Sequence, residues 1–236
     1  MFGVLIRFIL SAWKWYPQLI KDSIARKKDG KVHLYGIEGY VGLAGAGKTM
    51  AVCKRLRDLR AKYGEDIYIA TNFFYDDEDF RIDNWTQLLE PRDKTLVVVW
   101  DELPTLFNSR AFKSMPIQLI QHLTQLRKGN GILLLYTAQQ AFMVDKYFRD
   151  ISNYIYDCKC WFGVFNIVSR YFAADYNEMK SERTQDKRMR IKPIRTTFVQ
   201  TEDLRNSYNS YQFLDSVKSM EYMDRAELAA VNGDRS

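Results

Sequence analysis

Residues 32–49 read VHLYGIEGYVGLAGAGKT, an apolar segment, a glycine-rich turn and the first residues of a helix. Gly42, Gly47, Lys48 and Thr49 fit G-x-x-x-x-G-K-[ST], the phosphate-binding or Walker A loop. Each residue type has a physical reason. Glycines at 42, 45 and 47 let the backbone take positive φ and come close to a ligand. Successive backbone N–H groups and a helix N-terminus then surround an anionic phosphate. Lys48 reaches the β- and γ-phosphates, and the Thr49 hydroxyl is a ligand for Mg²⁺. The expected small molecules are therefore ATP and Mg²⁺. The competing reading is a glycine-rich strand-to-helix turn with a solvated lysine.

The surroundings favour the loop. The first strand is expected over Val32–Ile37. After the loop, Val52, Leu56 and Leu59 recur as an amphipathic helix requires, and that helix should end near Gly64. With 236 residues the chain is long enough for one α/β domain with a real core plus appendages. Hydrophobics at 47% exclude a disordered chain. Thirty-five Lys and Arg against 29 Asp and Glu leave a net charge of +6, compatible with nucleic acid or anionic lipid as a partner. The three cysteines, Cys53, Cys158 and Cys160, make no disulfide framework. Core packing is a better reading for them than metal, because no further ligands stand nearby.

Two more strands carry chemistry. Lys94–Glu102, KTLVVVWDE, has a five-residue apolar run that reads as a strand buried on both faces. It delivers Asp101 and Glu102 at its carboxyl end. Asp101 then sits on the Mg²⁺ side of a nucleotide site, and Glu102 is placed to act as general base on water. The plainer alternative is a surface acidic pair opening a loop. Ile132–Tyr136 is a further buried strand, ending at Thr137-Ala-Gln-Gln, where polar groups face the ligand crevice of an open α/β sheet. Gln139 or Gln140 senses the γ-phosphate or orients water there, or else caps the next helix. Between these strands, a helix opening at Ser114 should present Leu119, Leu123 and Leu126 and end at Arg127-Lys128-Gly129.

The two ends differ from this centre. Residues 1–28 are apolar and aromatic, with Arg7, Lys14, Lys21 and Lys28 on one helical stripe. The longest uncharged run, Phe8–Trp13, is too short to span a bilayer. An in-plane amphipathic anchor is expected, or a helix packed on its own domain or a neighbouring subunit. Pro17 should kink or break it. Toward the other end, Phe162–Asn166 suggests a hairpin and Thr196–Gln200 a last strand. Seven basic residues lie between Lys180 and Arg195, a nucleic-acid or phospholipid patch or a solvated ribbon.

The acidic pair, then Phe107-Asn108-x-Arg110, Arg127-Lys128, Gln139, Val144-Asp145-Lys146 and Arg149, together with the P-loop and Thr71-Asn72, resemble the zonula occludens toxin-like ATPases of filamentous-phage assembly. That family is similar in fold to DNA-pumping translocases. The resemblance covers about Val32 to Lys159. It implies an inner-membrane motor that uses ATP to extrude single-stranded phage DNA while coat subunits replace a DNA-binding protein. It assigns phosphates to Lys48 and Thr49, metal support to Asp101, water activation to Glu102 and a sensor to Gln139. It also implies a homo-oligomeric ring in which an arginine from the next subunit completes the site, Arg110 first and Arg127 second. Many members carry a membrane span and an extracytoplasmic domain after the ATPase domain. Here the apolar segment lies in front, so contact with the cytoplasmic face of the membrane is expected through residues 1–20 or a partner chain.

The expected fold is therefore α/β: a P-loop NTPase with a mostly parallel central sheet flanked by helices. Residues 1–30 form an amphipathic helix, 31–175 the ATPase domain and 176–236 a basic, β-containing extension packed on it. The alternatives are a genome-packaging or conjugative DNA-translocation ATPase and, from another class, a switch or scaffold that binds ATP without moving anything. The acid pair argues against the last, because binding alone needs no base.

Overall fold

The computed structural model describes residues 17, 32–106, 117–180 and 192–208. The expected N-terminal anchor, Arg110, most of the basic run between Lys180 and Arg195, and the chain after 208 lie outside the described residues. In chain order the elements are β1 (Gly36–Val41), α1 (Lys48–Tyr63), β2 (Ile67–Thr71), β3 (Phe80–Arg81), β4 (Thr95–Trp100), α2 (Leu103–Leu106) and α3 (Ile117–Leu123). They continue with β5 (Ile132–Ala138), α4 (Lys146–Ile151), β6 (Tyr154–Trp161), β7 (Phe165–Phe172), α5 (Ala173–Lys180), β8 (Ile194–Val199) and α6 (Glu202–Asn206).

The strands form one eight-stranded sheet in the order β3-β2-β4-β5-β1-β6-β7-β8. From β3 to β6 all neighbours are parallel, and β7 and β8 are antiparallel additions. The α/β expectation therefore holds. Helix α1 covers one face through Val52, Cys53 and Leu56, and Tyr40, Val97, Val99 and Leu135 meet it from the sheet. Leu119 of α3 and Phe148 of α4 lie in the cluster on the other face with Val98, Trp100, Leu134 and Tyr136. Val97, Val98 and Val99 are all fully buried, which is why β4 shows no polar alternation. Each such side chain contributes about 1.5–3 kcal/mol by leaving water. Among the described residues no helix is long and apolar enough to cross a membrane.

Two expectations shift. The first strand is Gly36–Val41 and not Val32–Ile37. Residues 32–35 form a lead-in outside the sheet, held where Thr95 Oγ1 donates to the Val32 carbonyl at 2.6 Å. Glycine is a poor strand former, which hides this strand in the sequence. Gly39 is needed for space, since a Cβ there would meet the Tyr136 ring at 2.4 Å. Between β3 and β4 a 3₁₀ helix, Trp85–Leu89, carries a reciprocal cap between Asn84 and Gln87. The helix expected to end at Arg127-Lys128-Gly129 ends at Leu123, and hydrogen-bonded turns carry the chain on to Lys128.

Candidate nucleotide-binding site

The site lies at the carboxyl edge of the parallel strands, where ligands bind in open α/β sheets. β1 ends at Val41 and the loop begins at once, tied to β5 where the Gly42 N–H donates to the Ala138 carbonyl at 3.3 Å. Gly47 caps α1 with φ 75°, a left-handed conformation that suits glycine. A Cβ at Gly47 would also meet Asn166 Nδ2 at 2.4 Å, so position 47 excludes side chains twice over. Asn166 Nδ2 donates to the Gly47 carbonyl at 3.3 Å, and Gln200 Nε2 donates to Asn166 Oδ1 at 2.7 Å. Lys48 is almost buried, and its Nζ donates back to the Leu43 carbonyl at 3.2 Å, closing the turn.

The lysine-threonine turn and the acid pair, 52 residues apart in sequence, meet in space: Thr49 Oγ1 lies 3.1 Å from Asp101 Oδ1 and 3.3 Å from Oδ2. Strand order explains how. β5 runs between β1 and β4, and its register sets Tyr136 beside both Gly39 and Trp100. The next residue, Thr137, is thereby level with Asp101. Its hydroxyl donates to Asp101 Oδ1 at 2.7 Å and accepts from the Glu102 N–H at 2.8 Å. From the other side, Asn72 at the end of β2 pairs with the Asp101 backbone at two points. The Asp101 N–H donates to Asn72 Oδ1 at 2.8 Å, and Asn72 Nδ2 donates to the Asp101 carbonyl at 3.1 Å.

Two consequences follow. Glu102 takes φ 52°, an uncommon conformation for a residue with a side chain, and costs about 1–2 kcal/mol that the two neighbouring strands offset. Burial pushes the Asp101 carboxyl above its ordinary range, opposed by the hydrogen bonds from Thr137 and Thr49 and by the charge of Lys48. A buried carboxylate beside a hydroxyl, with burial disfavouring its charge, is a donor set that suits a hard divalent cation. The residues therefore fit Mg²⁺, which Thr49 and Asp101 would hold.

The remaining expected residues divide. Gln139 follows β5 directly and lines a cavity together with the outer side of the loop, Gly42 and Gly45 included. Gln140 precedes the 3₁₀ turn Ala141–Met143 without a side-chain cap bond, so capping is not its role. The cap that forms in this segment is Asp145, which accepts from the Tyr147 N–H at the start of α4. Arg127 sits before the amino end of β5, at the edge of the sheet opposite the acid pair, and does not reach the site of its own chain. In the sequence Asn72 stands out through the family resemblance, Thr137 as one of a polar cluster, and Asn166 only as the end of a hairpin. A polar residue directly after a buried strand is the available signal for the first, but nothing local marks Asn166.

No protein-family model matches the chain, and no curated protein does. Among solved structures, the N-terminal domain of zonular occludens toxin from Neisseria meningitidis is similar, at 15% identity and a TM-score of 0.51, over 75% of this chain and 100% of that one. The genome packaging NTPase B204 from Sulfolobus turreted icosahedral virus 2, in complex with ATP-gammaS, aligns at 14% identity and a TM-score of 0.41, over 52% of this chain and 74% of that one. The first likeness, to a protein of the kind the sequence resembles, agrees with the strand order and the loop: the chain has the P-loop NTPase fold.

Proposed function

We propose that this chain is an ATPase that hydrolyses ATP between the Walker A turn and the Asp101-Glu102 pair. The observation that carries this reading is the meeting of Thr49 with Asp101 at 3.1 Å, with a glutamate next in sequence. Backbone N–H groups of the loop and Lys48 hold the triphosphate. Thr49 and Asp101 hold Mg²⁺, which when bound neutralises charge on the phosphate oxygens. Glu102 accepts a proton from the attacking water, and the pinned backbone at 101–102 keeps its starting point constant. Gln139, at the edge of the loop, orients that water or reports on the γ-phosphate.

The biological setting we propose is movement of DNA, single-stranded by preference, during assembly of a filamentous phage at the cytoplasmic face of the host membrane. The sequence resemblance supports it. A homo-oligomeric ring supplies Arg110, or in second place Arg127, to the neighbouring site, and coat proteins are the assembly partners. The exposed position of Arg127, away from its own acid pair, suits a role in trans.

The decisive test is hydrolysis by the full chain. Wild type should turn over ATP, and Glu102→Gln should bind ATP with turnover lower by about 10²–10⁴-fold. Binding with no hydrolysis by wild type would replace the enzyme with a nucleotide-dependent scaffold. Single-stranded DNA should raise the rate of an oligomeric sample; an unchanged rate removes the DNA motor and leaves the ATPase.

A further inference from the structure

A cavity of about 410 Å³ opens between α1 and the antiparallel flank of the sheet. That volume is within the range of small-molecule pockets. Lys54, Arg55 and Asp58 of α1 stand on one side of it, and Arg170 of β7 with Ile194 and Phe198 of β8 on the other. Tyr40 and Tyr156, stacked with ring centroids 4.5 Å apart, line it between them. No residue from Gly42 to Thr49 belongs to it, and neither does Asp101 or Glu102. Binding there requires nothing of the ATP site.

The cations of this cavity outnumber their partners. The Asp58 carboxylate is taken by Lys54. Arg55 Nη2 donates to the buried Glu38 carboxylate at 3.3 Å, but Arg55 Nε is buried with no hydrogen-bond partner among the described residues. Burying a guanidinium donor unmatched costs free energy. Arg170 makes no ion pair among the described residues, and its guanidinium lies 4.9 Å from the centre of the Tyr154 ring. Three cations against two carboxylates leave one positive charge over. Burial and the Glu38 charge push the Tyr156 hydroxyl up, to about 12, and the charges of Arg55 and Arg170 oppose them. Both guanidinia are thus within electrostatic reach of one hydroxyl. Beside this charge the cavity is apolar: Phe198 is half-buried, and Ile194 is left 59% exposed.

We propose that this cavity binds a small organic phosphomonoester, its phosphate between Arg55 and Arg170 and its apolar body against Ile194 and Phe198. A guanidinium offers a planar fork of donors to an oxyanion. A phosphate monoester has three terminal oxygens and a charge of about −1.5 to −2, so it can meet two such forks at once. A carboxylate, with two oxygens and one charge, satisfies one.

The test is titration calorimetry with phenyl phosphate on the full chain carrying Lys48→Ala, which disables the phosphate loop as a competing site. This variant should bind phenyl phosphate. Adding Arg170→Met should weaken that binding at least about tenfold, the worth of one charged contact. Ile194→Glu in the same background should weaken it as well, by setting a carboxylate at the opening. Its exposed position keeps the test valid if thermal unfolding shows that Arg170→Met fails to fold. No binding by Lys48→Ala, or binding that Ile194→Glu and a folded Arg170→Met leave unchanged, overturns the proposal. Benzoate bound as tightly as phenyl phosphate would make this a carboxylate site, and inorganic phosphate bound as tightly would remove the apolar contact; each result overturns it too. Displacement of phenyl phosphate by a thymidine oligonucleotide with hydroxyls at both ends would give the cavity to a nucleic-acid backbone and overturn it likewise.

Discussion

Every residue of β4 is buried, whereas in β8 only Phe198 is even half-buried. The parallel half of the sheet is sandwiched between helices, and the antiparallel half turns much of its surface to water. The polar groups that matter are distributed accordingly. At the buried end, Asn72, Asp101, Glu102 and Thr137 are linked through strand register, and each holds the next. At the open end, a chain of amides runs from the flank to the site, from Gln200 to Asn166 to the Gly47 carbonyl. In the buried half the side chains that hold the acid pair stand on the neighbouring strands, level with it by register. In the half-solvated one a relay of two amide side chains reaches in from the flank.

If this contrast is right, variants should rank by which half they touch. The largest stability effect is expected from Leu134→Ala in β5, fully buried in the parallel half. It should cost about 2–5 kcal/mol in denaturant unfolding. A loss near that expected for a surface site would mean the parallel half is not the stability core. Thr137→Val comes next. It takes the Thr137 hydroxyl from the Glu102 N–H and from Asp101 Oδ1, which keeps its bond from Thr49, at a cost of about 1–3 kcal/mol. Turnover should fall by ten- to a hundredfold on that basis, with ATP affinity little changed. Unchanged turnover would show that β5 does not set the acid pair.

Asn166→Ala probes the line from the flank to the site. It should weaken nucleotide binding by about tenfold or less, the worth of one hydrogen bond. An effect on binding larger than that of Lys48→Ala would invert the comparison. Smallest is Thr197→Ala on exposed β8, expected within about 0.5 kcal/mol of wild type in thermal unfolding. A loss of several kcal/mol there would show that β8 is an integral part of the core.

Much of the site was readable from local pattern. Lys48, Thr49, Asp101 and Glu102 sit at fixed offsets from the ends of two apolar runs, and short-range spacing is what a motif encodes. The hairpin around Phe162–Asn166 and a last strand at Thr196–Gln200 were likewise expected, and both formed, the strand two residues earlier as Ile194–Val199. Strand β1 was misplaced because its two glycines look like a turn until Tyr136 is seen lying across one of them. The partners of the acid pair were harder. Thr137 is 36 residues from Asp101 and Asn72 is 29, and no periodicity connects residues on different strands. Asn166 is further still, 119 residues from the glycine it supports.

By itself the sequence determined the element types, the phosphate loop and the acid pair, because helical and strand periodicity and glycine chemistry act over a few residues. Tertiary structure alone decided that β5 lies between the loop's strand and the acid strand. It decided that Thr137 and Asn72 hold the backbone at 101–102, and that a cavity with Arg55 and Arg170 on its walls opens between α1 and the flank. Strand order and register are settled by which apolar faces pack together across the whole domain, and that competition has no local signature in the chain.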